Sequence, residues 1–302
     1  MPKPLILNRL RREPSFFDLV FEPGGNSSAM NGALFRSMEM DPKEAARPIR
    51  KLRKILKVLS ANPHPDCVHQ LRAQTRRLDA LARVLSREVD DKFYRALKMM
   101  KPIGKAAAKV RDMDVLIAKS ASLSSHGQSD AIVRLVEHMS ALRDQHAKRL
   151  SRKVKRHGDK ARMRLKLCLK SLERMQNEGR WSSALSPTQP RILAAKLEHW
   201  PKVDRENLHE FRKGVRELRD MLQLLSHLGE QPLPAFDGVK DRTGEWHDWQ
   251  ELECIAASVL DPDGGDAGLL REIRMIVRGK FDAALAEARA LQKRNLLTAA
   301  AA

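Results

Sequence analysis

Val68-His-Gln-Leu-Arg-Ala-Gln-Thr-Arg-Arg-Leu returns 140 residues later as Leu208-His-Glu-Phe-Arg-Lys-Gly-Val-Arg-Glu-Leu, so that His69, Arg72, Arg76 and Leu78 realign with His209, Arg212, Arg216 and Leu218. A strand alternates its side chains between two faces and would separate a histidine from arginines three and seven residues on. A helix, turning about 100° per residue, gathers all three onto one arc. On that wheel Arg72, Arg76 and Arg83 fall within roughly 60° of His69, and Leu71, Leu78, Leu81 and Leu85 lie on the far side. The second copy sets His209, Arg212, Arg216 and Arg219, with Lys213 at the edge, opposite Phe211, Val215, Leu218, Leu222 and Leu225. The fold therefore has to accommodate two helices, each apolar on one side and cationic on the other.

Four cations on one arc repel each other, a cost that a bound anion turns into attraction. Arginine suits phosphate because its planar fork makes two parallel charge-assisted hydrogen bonds. The whole chain shares the bias: 57 Lys and Arg stand against 38 Asp and Glu, a net charge of +19. Such a balance selects polyanions, whether nucleic acid, anionic membrane or inorganic polyphosphate. Aromatic residues make up only 4% of the chain, with Tyr94 the single tyrosine, which weakens a base-stacking reading. The histidines have two open readings: donation to a phosphate oxygen, or a bond to a neighbouring helix at a helix start.

A 3.6-residue apolar period with short breaks predicts an all-α fold. Helical patterns run over about 41–61, 65–89, 91–100, 105–120, 130–155, 160–177, 190–198, 204–228, 237–260 and 267–297, with breaks at Pro102 and Gly104 and at His157-Gly158-Asp159. Asp41 is placed to cap the first helix, with Pro42 at its first position. Residues 1–40, rich in Pro, Gly, Asn and Ser, read as a disordered or loosely attached arm. The stretch 179–190 reads as the seam between a first half, 41–180, and a second, 190–298. Between 148 and 170 there are eleven Lys or Arg and one acid, Asp159, with Leu150, Val154, Met163, Leu165, Leu167 and Leu169 expected to supply a buried side.

Cys67, Cys168 and Cys254 are far apart in sequence and read as reduced core thiols. Phosphate-loop, dinucleotide, zinc-protease and serine-elbow signatures are missing from the sequence. Asp112, Asp114 and Asp248, beside basic residues, read as ion-pair partners rather than metal ligands. Trp246 and Trp249 read as packing between helices. No run of eighteen apolar residues occurs, so the expectation is a cytoplasmic protein without a membrane span.

These residues carry a resemblance to a known family. The two His/Arg motifs, joined by Val110-Arg-Asp-Met-Asp-Val-Leu in the first half and Trp246-His-Asp-Trp-Gln-Glu-Leu in the second, make 41–291 similar to the CHAD family, the conserved histidine α-helical domain, in its stand-alone form. The resemblance implies two pseudo-symmetric antiparallel helical bundles with a basic central groove or pore that binds inorganic polyphosphate. It implies anion contacts from His69, Arg72, Arg76 and Arg77, and from His209, Arg212, Lys213, Arg216 and Arg219. Arg83 on the first arc is a further candidate, as are Arg50, Lys54, Lys105, Lys109 and Lys240 on neighbouring helices. The chain departs from the family pattern where Ala107-Ala108 and Thr243-Gly244 stand for a Leu-Gly pair, and where Glu217 replaces the second arginine of the pair seen at Arg76-Arg77.

The expectation is a non-enzymatic polyphosphate binder with no cofactor and no metal, associated with polyphosphate granules. The alternatives are a nucleic-acid-binding protein and, further off, a phosphoanhydride-hydrolysing enzyme with Asp112, Asp114 or Asp248 on magnesium.

Overall fold

A computed structural model describes residues 40–59, 63–85, 87–123, 129–186, 188–225 and 233–294. Among them the fold is all-α: α1 (Pro42–Val58), α2 (Pro65–Val84), α3 (Arg87–Ser120), α4 (Ser129–Asn177), a short 3-10 turn (Ser182–Ala184), α5 (Thr188–Glu198), α6 (Leu208–Leu225), α7 (Leu233–Val259) and α8 (Ala267–Lys293). The arm expected over 1–40 lies outside the described residues except for Met40. So do most of the turns expected over 120–129 and 229–234.

Local chemistry sets the helix ends. The Asp41 carboxylate accepts from the Lys43 amide at 2.8 Å, and Pro42 opens α1. His64 Nδ1 accepts from the Asp66 amide at 3.3 Å and caps α2. Gly179, at φ 66°, ends α4, with the Arg180 amide reaching back to the Met175 carbonyl at 2.9 Å. That left-handed position suits glycine, which has no Cβ to clash.

Three stretches differ from the sequence reading. α2 stops at Val84, short of 89, because Leu85 is drawn into an extended bridge with Leu185 and the Val84 carbonyl accepts from the Ser186 amide at 2.8 Å. α3 runs straight through Pro102, since Phe93, Ala96, Met100, Ile103, Ala107 and Val110 form one continuous buried stripe on both sides of it. α4 does not break at Gly158, which is itself buried. At about 1.5 Å per residue α4 is a rod of roughly 73 Å.

Continuity through Gly158 fixes the helical phase and corrects the expected buried side of α4. Leu150, Ala161, Leu165, Cys168 and Leu169 face inward, whereas Met163 and Leu167 are 53% and 38% exposed. Cys168 is the buried thiol; Cys67 is half-buried and Cys254 exposed, so the reading of all three as core residues holds for one. Trp246 and Trp249 pack inside, as expected.

The helices pair as hairpins, α3 along α4 and α7 along α8, and α2 contacts both α3 and α6. Two apolar cores result. The larger draws on α1, α2, the N-terminal part of α3, the C-terminal part of α4, α5, α6, the start of α7 and the end of α8. The smaller joins Met113 and Leu116 of α3, Leu135 and Met139 of α4, Trp249 and Leu252 of α7, and Leu269 and Ile273 of α8. Each core takes side chains from both sequence halves.

Candidate functional site

The apolar sides of α2 and α6 explain how their cations meet. Val68, Leu71, Leu78 and Leu81 of α2, and Phe211, Val215, Leu218 and Leu222 of α6, are buried in the same core. With α2 packed on α6, the arginine rows are left along the margin of one contact, with α3 and α7 flanking it. The rows lie close enough to feel each other's charge. Arg76 of α2 is depressed below the usual arginine range by burial and by Arg216 and Arg219 of α6 together with Arg72, against the opposing pull of Asp220. Arg212 of α6 is pushed down to about 10 by burial, by Arg216 and by Arg72 of α2, although Asp248 and Glu251 oppose the shift.

Carboxylates fill part of this seam. Arg72 Nη1 donates to Asp112 Oδ1 of α3 at 3.0 Å. Arg83 holds Asp79 at 3.0 Å and reaches Glu217 of α6 at 3.5 Å. Glu217, the departure from the family's arginine, thus ties α6 to α2, and burial and Asp79 raise its carboxyl above the usual range. Arg219 pairs with Asp220 at 3.2 Å and Asp237 at 2.9 Å, and Lys240 with Asp237 at 3.1 Å and Asp241 at 3.0 Å. Lys213 pairs with Glu210 at 2.8 Å.

Not every arginine of the seam is compensated in this way. Among the described residues Arg76, Arg212 and Arg216 make no ion pair within 4.0 Å. The Arg212 Nε is buried without a hydrogen-bond partner, and so is the Arg219 Nε. A buried charged donor left unmatched is costly and calls for an anionic acceptor. Gly244 of α7 runs close beside the Arg212 fork, where a Cβ would sit in ordinary contact, 3.8 Å from the Nη2.

Histidines ring the seam. His209 and His247 rings lie 5.5 Å apart, centre to centre. His247 is held down to about 4 by burial, then by Arg212, His209, Lys109 and Arg216. His69 is exposed at the start of α2 and lowered by burial, then by Arg111, Arg76 and Arg72. Position by position, His69 beside Arg111 matches His209 beside His247, and Arg72 with Asp112 matches Arg212 with Asp248. Asp248 is raised by burial and Asp112, and Glu251 by burial, Asp112 and Asp248. Asp114 is claimed by Arg143 of α4, whose Nε donates to it at 2.7 Å.

Of the residues singled out from sequence, Arg72, Arg76, Arg212 and Arg216 come together, with Lys109 and the two motif histidines beside them. Arg83, Arg219, Lys213 and Lys240 are engaged by carboxylates. Arg77 is half-buried on α2, and Lys105 is exposed on α3. Arg50 and Lys54 stand apart on α1, where they line a shallow basic concavity with Lys43, Arg47 and Lys51. Sequence reasoning passed over His247 and Arg111 as site members. Their alignment across the two Asp-bearing motifs was the available signal. His146 of α4 and Lys119, whose Nζ sits 5.4 Å from the centre of the Trp249 ring, carried no such signal.

No described helix is long and apolar enough to cross a membrane. Searches among curated proteins and among solved structures found no match to the chain. The family model described as the CHAD domain does match, over residues 45–257, a span that holds both His/Arg arcs and both Asp-bearing motifs, and the chain belongs to the CHAD family.

Proposed function

We propose that the protein binds inorganic polyphosphate without catalysis, gripping the linear anion along the seam between α2 and α6. The observation that carries this reading is the convergence of half-buried Arg212 and Arg216 with exposed Arg76, all flanked by like charge and with no carboxylate paired to them. The family's association with polyphosphate-related proteins supports it. Linear phosphate offers a negative oxygen at every unit, and arginine forks read oxygens without needing bases. Two of the three acids that could serve magnesium are engaged by arginines, Asp112 by Arg72 and Asp114 by Arg143, and Glu251 has His247 at 3.7 Å, which supports a binding role over metal-assisted hydrolysis. Recruitment to polyphosphate granules follows as the cellular consequence of this reading.

Calorimetric titration with long-chain polyphosphate tests it. Arg72→Ala with Arg212→Ala is expected to weaken binding by about a hundredfold or more, because each removes a charge-assisted contact worth about 1.5–3 kcal/mol. The logarithmic salt slope falls by about 0.7 per lost contact. Wild-type affinity and slope in the double variant, with its fold verified by circular dichroism, would count against the seam. RNA displacing polyphosphate at equal phosphate concentration would favour a nucleic-acid ligand instead.

A further inference from the structure

The strongest charged feature outside the seam is the middle of α4. Its buried line, Leu150, Ala161, Leu165 and Cys168, leaves the opposite side to solvent. There Arg152, Arg156 and Lys160 follow one another at successive turns, with Arg149, Lys153 and Lys170 alongside, all exposed. Other exposed arginines have an acid on the adjacent turn of their own helix, as Arg47 has Glu44 and Arg95 has Asp91. Along this part of α4 the one acid, Asp159, is taken by Arg162 at 3.2 Å, and among the described residues Arg152, Arg156 and Lys160 make no ion pair. Cations one turn apart, about 5.4 Å, lie well within the roughly 8 Å screening length of physiological salt, so they repel.

The row begins where the seam ends. Arg143, one and a half turns before Arg149, is pinned to Asp114 of α3 at 2.7 Å and to the Pro63 carbonyl at 3.0 Å. Asp112, on the same stretch of α3, holds Arg72 of the seam. His146 is lowered by burial and by both Arg149 and Lys109, so α4 and the seam share one field at this point.

We propose that the outer face of α4, running from Arg149 through Arg152, Arg156 and Lys160, is a second binding surface that holds phosphate polymer continuing beyond the seam. This rests on the polyphosphate reading and adds a length preference to it: chains long enough to occupy seam and ridge gain contacts that short ones cannot make. The occupant follows from the chemistry of the ridge. α4 contains no Phe, Trp or Tyr, so it offers no stacking platform for bases. Two exposed apolar side chains, Met163 and Leu167, are too few to seat a lipid surface.

The test compares wild type with Arg152→Glu/Arg156→Glu/Lys160→Glu, a variant whose glutamates keep helix propensity. Each is titrated over a salt series with tripolyphosphate, which reaches the seam alone, and with long-chain polyphosphate. The variant is expected to bind tripolyphosphate as wild type does, to lose at least tenfold in long-chain affinity, and to show a salt slope shallower by about 2, for three contacts at about 0.7 each. Unchanged long-chain binding overturns the ridge and leaves the seam standing. If wild type binds neither polymer, the functional reading falls and the ridge with it. A variant that loses single-stranded RNA while keeping long-chain polyphosphate assigns the ridge to nucleic acid and overturns the proposed occupant.

Discussion

His247 shows most directly how the seam shapes a single residue. Burial and the surrounding cations hold it down to about 4, against an unfolded value near 6.5. Between those values the unfolded chain carries a proton at this position and the folded one does not. Stability of the protein without polyphosphate therefore falls as pH drops from about 6.5 towards 4, and is unaffected by this group above that window. Chemical denaturation across pH measures the slope. His247→Gln is expected to flatten it, and an unchanged slope would mean that the ring does not feel the seam. From sequence, His69 and His209 stood out because they repeat, whereas His247 aligns with Arg111 and so escaped a search for identical residues. Glu217 was visible as a departure from the arginine pair, but that it bridges to Arg83 at 3.5 Å depends on how closely α6 lies on α2, which no local pattern encodes.

At the level of the helix, the apolar period located each α-helix of the described residues, but split α3 and α4 in two and misjudged where others stop. Pro102 is the clearest case, because a proline inside a helix removes one hydrogen bond and crowds the preceding turn. Local chemistry says break there, yet Met100, Ile103 and Ala107 are fully buried against neighbouring helices, and tertiary packing overrides the local cost. Gly104 contributes by letting α3 approach α2, since a Cβ there would meet the Thr75 methyl at 3.3 Å. Pro102→Ala is accordingly expected to raise stability by about 1–3 kcal/mol, as read from denaturant midpoints, because the helical path is already imposed and only the penalty is removed. A loss of stability would mean that the proline supports the packing itself. The same override explains α4. Once the rod passes Gly158 unbroken, residues on either side share one phase, and Met163 and Leu167 are carried to the outer face.

Across the whole molecule, the duplicated sequence does not produce duplicated cores. Trp249 and Leu252 of the second half share a cluster with Leu116 and Met139 of the first, and Leu208 and Phe211 share another with Leu71 and Leu81. Periodicity tells which side of a helix is buried and is silent on its partner, so this interleaving was not legible from sequence. It also leaves the arginines little freedom to move apart, because α2 and α6 are fixed by apolar contacts behind them. Ionic strength should consequently act in opposite senses on the two forms of the protein. Between 0.02 and 0.2 M salt, approximate limits that take the screening length from tens of ångströms to under ten, the polymer-free protein should melt at rising temperature as its own repulsion is masked. The saturated complex should melt at falling temperature as its ligand is competed away. Where the two melting curves converge marks the salt concentration at which a bound phosphate polymer would cease to hold the fold together.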